Sequence, residues 1–203
     1  MRNLKQRFAT FLRDEDGLVL AEGLLMLPLV IWALVAMFIY WDVFRTINIT
    51  QKAAYGVADV LSRQKDDIPL TFANGLQKVL DFLTPGGHPV NMRITSLECV
   101  APTGPGCTTT NGSYKLLFSF SPEGKVVALT QPDIQVWRTT GKVPVLNHGE
   151  SVFIVETEVN FKAQLQTAIA GFMVGVEDAK YGQFIVTKPR HRRLCLQGTT
   201  TCT

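Results

Sequence analysis

The sequence predicts an α+β chain. A long N-terminal helix, transmembrane in its first half and amphipathic in its second, carries a small, mainly antiparallel sheet domain. Three observations predict it. Residues 18–41, LVLAEGLLMLPLVIWALVAMFIYW, form an apolar run with a single charge, Glu22. Apolar residues then recur at helical spacing to about residue 64. Beyond residue 88 the period changes to the alternation of strands, punctuated by Gly- and Pro-rich turns.

A bilayer core of ~30 Å takes about 20 apolar residues in a helix, so the first run suffices to span it. It is longer than the apolar core of a secretory signal, and no small-x-small cleavage site follows it. Tyr40 and Trp41 stand at its far end, where aromatic side chains anchor in the interface. Pro28 breaks the helix locally, because its nitrogen has no proton to donate to the carbonyl of Leu24. Lipid-embedded helices tolerate this. Val43, Ile47, Ala54, Val57 and Leu61 carry the helical period onward, with Asp42, Lys52, Asp59 and Arg63 elsewhere. One helix to about residue 64 measures roughly 70 Å at ~1.5 Å per residue.

Arg2, Lys5, Arg7 and Arg13 precede the run, against Arg45 and Lys52 just after it. The bias places the N-terminus in the cytoplasm. All four cysteines, Cys99, Cys107, Cys195 and Cys202, then fall on the far side, where disulfides form. Four cysteines allow three connectivities. The expected one is local, Cys99 with Cys107 and Cys195 with Cys202, because each pair closes a loop rich in Gly, Pro or Thr. Their spacing, and the distance of the histidines, argue against zinc.

Past the first helix, Ile68–Leu83 reads as a short helix with a stripe of Phe72, Leu76, Val79, Leu80 and Leu83, ended by Pro85-Gly86-Gly87. Strands are expected at Val90–Val100, Ser113–Phe120, Ile134–Thr139, Ser151–Leu165 and Gly182–Lys188, the first two forming a hairpin around a loop at 101–112. Gln164–Val174 reads as helix or loop. The expected divisions are 1–17, 18–64 and 65–203, with no internal repeat.

A net charge of +3 gives no reason to expect a nucleic-acid partner, which leaves a clustered basic patch. The cluster Lys188, Arg190, Arg192 and Arg193 reads as a solvated stretch after the last strand, with a phosphate or headgroup patch as the alternative. The chain lacks GxSxG, HExxH and Walker-type patterns. His88 and His148 lie in Gly- and Pro-rich loops without a nucleophile or metal-ligand spacing beside them. Glu156 and Glu158 share a strand face, as a calcium or acid pair would, but a solvated sheet face is the preferred reading. The expectation is no enzyme, no cofactor and no metal.

Behind the basic leader MRNLKQRFATFLRDEDG stands Gly17, then Leu18, Val19, Leu20, Ala21 and, fifth after the glycine, Glu22. This resembles the processing site of type IV prepilins. The resemblance implies a membrane peptidase that cuts after Gly17 and leaves Leu18 as the new N-terminus. An ammonium group in or near the apolar layer is costly without a partner. Glu22 lies one helical turn on and shares a face with Leu18, so its carboxylate can pair with its own or a neighbouring subunit's amine.

The resemblance narrows further. DEDG followed by GLVLAEGLLMLPLV, with Glu22 and then Pro28, is similar to the TadE and TadF pseudopilins of the tight-adherence, or Flp, pilus. QKAAYGVADVLSR resembles the Ala-rich continuation of their helix, and SVFIVETEVNFKAQL and FIVTKPR their closing strands. Gly23 departs from the family, where a Phe often follows the glutamate. The resemblance implies a pilin-like fold and a minor pilin or pseudopilin that takes part in assembly or tip formation. Its implied partners are the prepilin peptidase, other pilin and pseudopilin subunits, an inner-membrane assembly platform and the bilayer. The chain would cross the bacterial inner membrane once, its C-terminal domain periplasmic or carried into an extracellular fibre. The alternative is an uncut, single-pass anchored periplasmic binding domain.

Overall fold

The structure is a computed structural model that describes residues 16–84, 88–101, 104, 106–161 and 179–202. The leader up to residue 15, the expected stop at Pro85-Gly86-Gly87 and the expected helix or loop at Gln164–Val174 lie outside the described residues. The fold is α+β. The first helix, α1 (Asp16–Ser62), is 47 residues long and keeps Pro28 inside it. The chain divides into two compact units at Asp42/Val43 on α1. The described part of the first unit is helix throughout.

In the second unit, α1 presents Ala53, Ala54, Val57, Ala58 and Leu61 as a buried stripe. Three of the five are alanines, which keep the helix backbone close to what it covers. A short link leads to α2 (Leu70–Leu83), whose Ala73, Leu76 and Leu80 join the same core. Gln77 is buried on α2 and donates to Asp81 and to the carbonyl of Val90, tying the helix to the first strand.

The strands are β1 (Val90–Val100), β2 (Gly106–Cys107), β3 (Ser113–Phe120), β4 (Leu146–Asn147), β5 (Ser151–Phe161) and β6 (Ala179–Thr187). Four of them form an antiparallel sheet in the order β3-β1-β5-β6, and β2 with β4 forms a small second sheet. The expected β1–β3 hairpin is present, with a register shift at Ser96/Leu97. Gly106 in β2 packs so tightly that a Cβ there would sit 2.1 Å from the carbonyl oxygen of Leu146, so only glycine fits.

Alternation along the strands divides the core in two. Val90, Met92, Ile94, Phe153, Val155, Val159 and Ile185 face α1 and α2. Leu97, Cys99, Val152 and Ile154 face the other way and are covered by α3 (Gln131–Thr139) through Ile134 and Trp137. This second face is the outer face below.

The α3 segment corrects the expected strand at Ile134–Thr139. Its sequence alternates weakly, but Thr130 and Asp133 form a capping box and Pro132 sits in the first turn. Together they satisfy the amides that a helix start exposes and set its first φ, which outweighs the short alternation. The closing strand also runs Ala179–Thr187 rather than Gly182–Lys188.

Candidate functional site

The start of α1 holds the residues singled out by the sequence. Gly17 and Leu18 lie in its first turn, Glu22 one turn further on, and Pro28 within the helix. Residues 21–34 are exposed without interruption, and Leu24 and Leu25 keep 73% and 74% of their surface. The exposed apolar surface continues through Trp41, 58% exposed. So much contiguous apolar surface is not stable against water, but it suits lipid or the helices of other subunits. The α1 stretch Ala21–Ser62 is long and apolar enough to cross a membrane, with an 18-residue window of mean hydropathy 2.4. Gly23 has open space around it, so a larger side chain would fit there.

Both disulfides are local. Cys99 joins Cys107 and Cys195 joins Cys202, with Cα atoms 5.8 Å and 5.9 Å apart. The first staples the end of β1 to β2. Beside it the Tyr114 hydroxyl donates to the carbonyls of Cys107 and Pro144, and burial pushes its pKa up.

The second disulfide lies in a C-terminal arm, residues 188–202, whose basic cluster is largely solvent-exposed, as expected, while each of its cations has an acidic partner. Arg190 pairs with Asp59 on α1 at 2.7 Å, Arg192 with Asp67, and Arg193 with Glu98 on β1 at 3.2 Å while donating to the carbonyl of Cys202. Lys188 pairs with Glu150 at 2.6 Å. That ammonium, with the Asn147 amide, holds the Glu150 carboxyl at about 2. Ile68 bridges to Leu196 through backbone bonds with Cys195 and Gln197. Leu194 and Leu196 complete the core under α1. The acids that recruit these arginines lie far away in sequence, so the run alone carries no sign of them.

On the outer face, Glu156 and Glu158 do lie side by side, but each has a cation. Arg93 pairs with Glu156 at 2.6 Å and Lys180 with Glu158 at 3.2 Å. No group of three or more potential metal ligands occurs among the described residues. The two loop histidines are separate. His88 is buried and stacks on Phe161, with ring centres 4.7 Å apart, whereas His148 accepts the backbone N–H of Ala101 through Nδ1. Sequence reasoning passed over a cleft of about 290 Å³ on this face, lined by Arg93, Lys142, Gly182 and Phe184. A glycine inside a strand was the available sign.

A long N-terminal apolar helix followed by an antiparallel sheet now stands beside two extracytoplasmic-type disulfides. The architecture is pilin-like. Comparison of the chain with family models, with curated proteins and with solved structures found no match. The pilin-like architecture and the disulfides together indicate membrane anchoring with an extracytoplasmic domain.

Proposed function

We propose that this chain is a minor pilin or pseudopilin that takes part in assembly or tip formation of a tight-adherence pilus, after a prepilin peptidase cuts between Gly17 and Leu18. The observation that carries it is a lone carboxylate, Glu22, one turn inside an apolar, exposed helix that begins beside a glycine. A cut there creates an ammonium at Leu18, and Glu22 is the nearest group able to neutralise it. The amine of one subunit meeting the Glu22 of the next gives a reason for subunits to dock in register, while the exposed apolar side chains supply lateral packing. The remaining domain faces the periplasm, consistent with its disulfides and the basic leader. Its partners are the peptidase, neighbouring pilin-type subunits, the inner-membrane assembly platform and the bilayer. It acts by assembly rather than by catalysis.

Intact-mass measurement of the membrane-extracted protein, from cells with and without the peptidase, tests this. The expected result is loss of residues 1–17 only where the peptidase is present. The same full-length mass in both leaves an uncut, single-pass anchored domain.

A further inference from the structure

The outer face of the sheet is longer than its cover. The α3 helix lies over the end that carries Leu97, Val152 and Ile154. Beyond it, two rows of partly buried side chains wall the cleft. In one, Arg93 on β1 stands opposite Glu156 on β5, which stands opposite Phe184 on β6. In the next, Asn91 stands opposite Glu158, and Glu158 opposite Gly182. Gly182 therefore leaves a slot where its neighbours have side chains.

Nothing among the described residues demands that glycine. The β5–β6 register is continuous, so there is no bulge. Its backbone is not in the left-handed region, and a Cβ would meet only the Thr157 carbonyl oxygen, at 3.9 Å. A glycine that weakens a strand without a packing reason marks a place where something approaches the backbone.

The walls limit what that is. Phe184 offers half-buried ring surface, with Trp137 edge-on at 5.4 Å and the Lys142 ammonium over both rings. Asn91 adds an amide, Glu158 a carboxylate and Lys142 a cation. Arg93 and Glu156 neutralise each other and Lys180 pairs with Glu158, so a charged ligand would have to compete with a partner already in place. Closely alternating donors and acceptors beside an aromatic ring suit a molecule with hydroxyls on its rim and C–H groups on its face, since the negative ring face attracts polarised C–H bonds. At about 290 Å³ the cleft has room for one six-membered ring.

We infer that this cleft binds one pyranose ring of an uncharged saccharide over Gly182, against Phe184, with Asn91, Glu158 and Lys142 holding its hydroxyls. The site is independent of processing at Gly17.

Saturation-transfer NMR on the full chain in lipid nanodiscs tests it; maltoside detergents are avoided because their headgroups are sugars. The probes are the methyl pyranosides of glucose, galactose, mannose and N-acetylglucosamine, each at roughly 10 mM, enough to fill a millimolar site. At least one should receive saturation, strongest at its ring C–H protons. Gly182→Val fills the slot with a good strand former and should weaken binding at least about ten-fold at unchanged or higher melting temperature. Asn91→Ala, outside the slot itself, should weaken it too and serves if the valine variant fails to fold. No transfer to any of the four sugars overturns the assignment, as does undiminished transfer in a folded variant or stronger transfer to acetate or to a lysine amide than to any sugar.

Discussion

Arg190 and Asp59 lie 131 residues apart in sequence and meet at 2.7 Å, fastening the C-terminal arm to the end of α1. The pair is one of the arm's three arginine–carboxylate pairs. Arg192–Asp67 and Arg193–Glu98 extend the contact along the link and onto β1. The first two are solvent-exposed, whereas Glu98 keeps only 19% of its side chain accessible. The arm's two leucines sit beneath these ion pairs in the main core.

The pairs should therefore differ in weight. Arg190→Ala is expected to lower stability by less than about 1 kcal/mol, as exposed ion pairs do. Arg193→Ala strips Glu98 of its cation and the Cys202 carbonyl of its donor, and should lose roughly 1–3 kcal/mol. Urea unfolding followed by near-ultraviolet circular dichroism compares them. Equal losses, or a larger one at Arg190, would contradict the ranking.

Each disulfide spans a short loop, with sequence separations of 8 and 7. Loop-closure entropy for such spans gives roughly 2–3 kcal/mol apiece. Paired Cys→Ser variants at 99/107 and at 195/202 should thus fall in stability by similar amounts. Strongly unequal losses would show that packing around Tyr114 or around the arm, rather than chain entropy, dominates one of them.

Glu150 sets an acid limit. Its carboxyl sits at about 2, against an ordinary 4.5, through Lys188 and the Asn147 amide. A carboxylate whose pKa falls on folding stabilises fully above its unfolded value and loses that stabilisation as pH drops toward the folded one. The window is therefore pH 4.5 down to about 2. The stability difference between the native chain and Glu150→Gln should be constant above that window and vanish at its lower end. A difference that persists unchanged to pH 2 would mean the group contributes by packing instead.

Glu22→Leu separates assembly from folding. The residue is exposed and is not one of the residues of the sheet core, so melting of the disulfide-bonded domain should not shift. Recovery of the subunit in sheared pili, read by immunoblot, should drop to background. Normal recovery would remove the role assigned to that carboxylate.

The parts of this fold that follow local rules could be read directly from sequence. The apolar run, the Ala- and Val-spaced continuation of α1, and strands β1, β3 and β5 all announce themselves by period. The cysteine pairs could be anticipated because each closes a turn-rich loop. At Ile134–Thr139 alternation misled, since the deciding contacts were one capping pair and a proline at the segment's start. The basic cluster reads correctly as a solvated stretch, but its partners at Asp59, Asp67 and Glu98 reach it only through the tertiary fold. Of the candidate sites, the Gly17–Leu18–Glu22 pattern is contiguous and hence visible. The outer cleft depends on the register of three strands, which no single segment encodes.

Because both sulfur bridges join near neighbours, neither one spans the stretch between residues 108 and 194. A single protease cut anywhere between residues 108 and 194 would leave two pieces held only by hydrogen bonds, ion pairs and apolar contact. Such nicked material would run as two bands on a denaturing gel with no reductant added, and its cohesion before denaturation would measure how firmly the arm and sheet grip without covalent help.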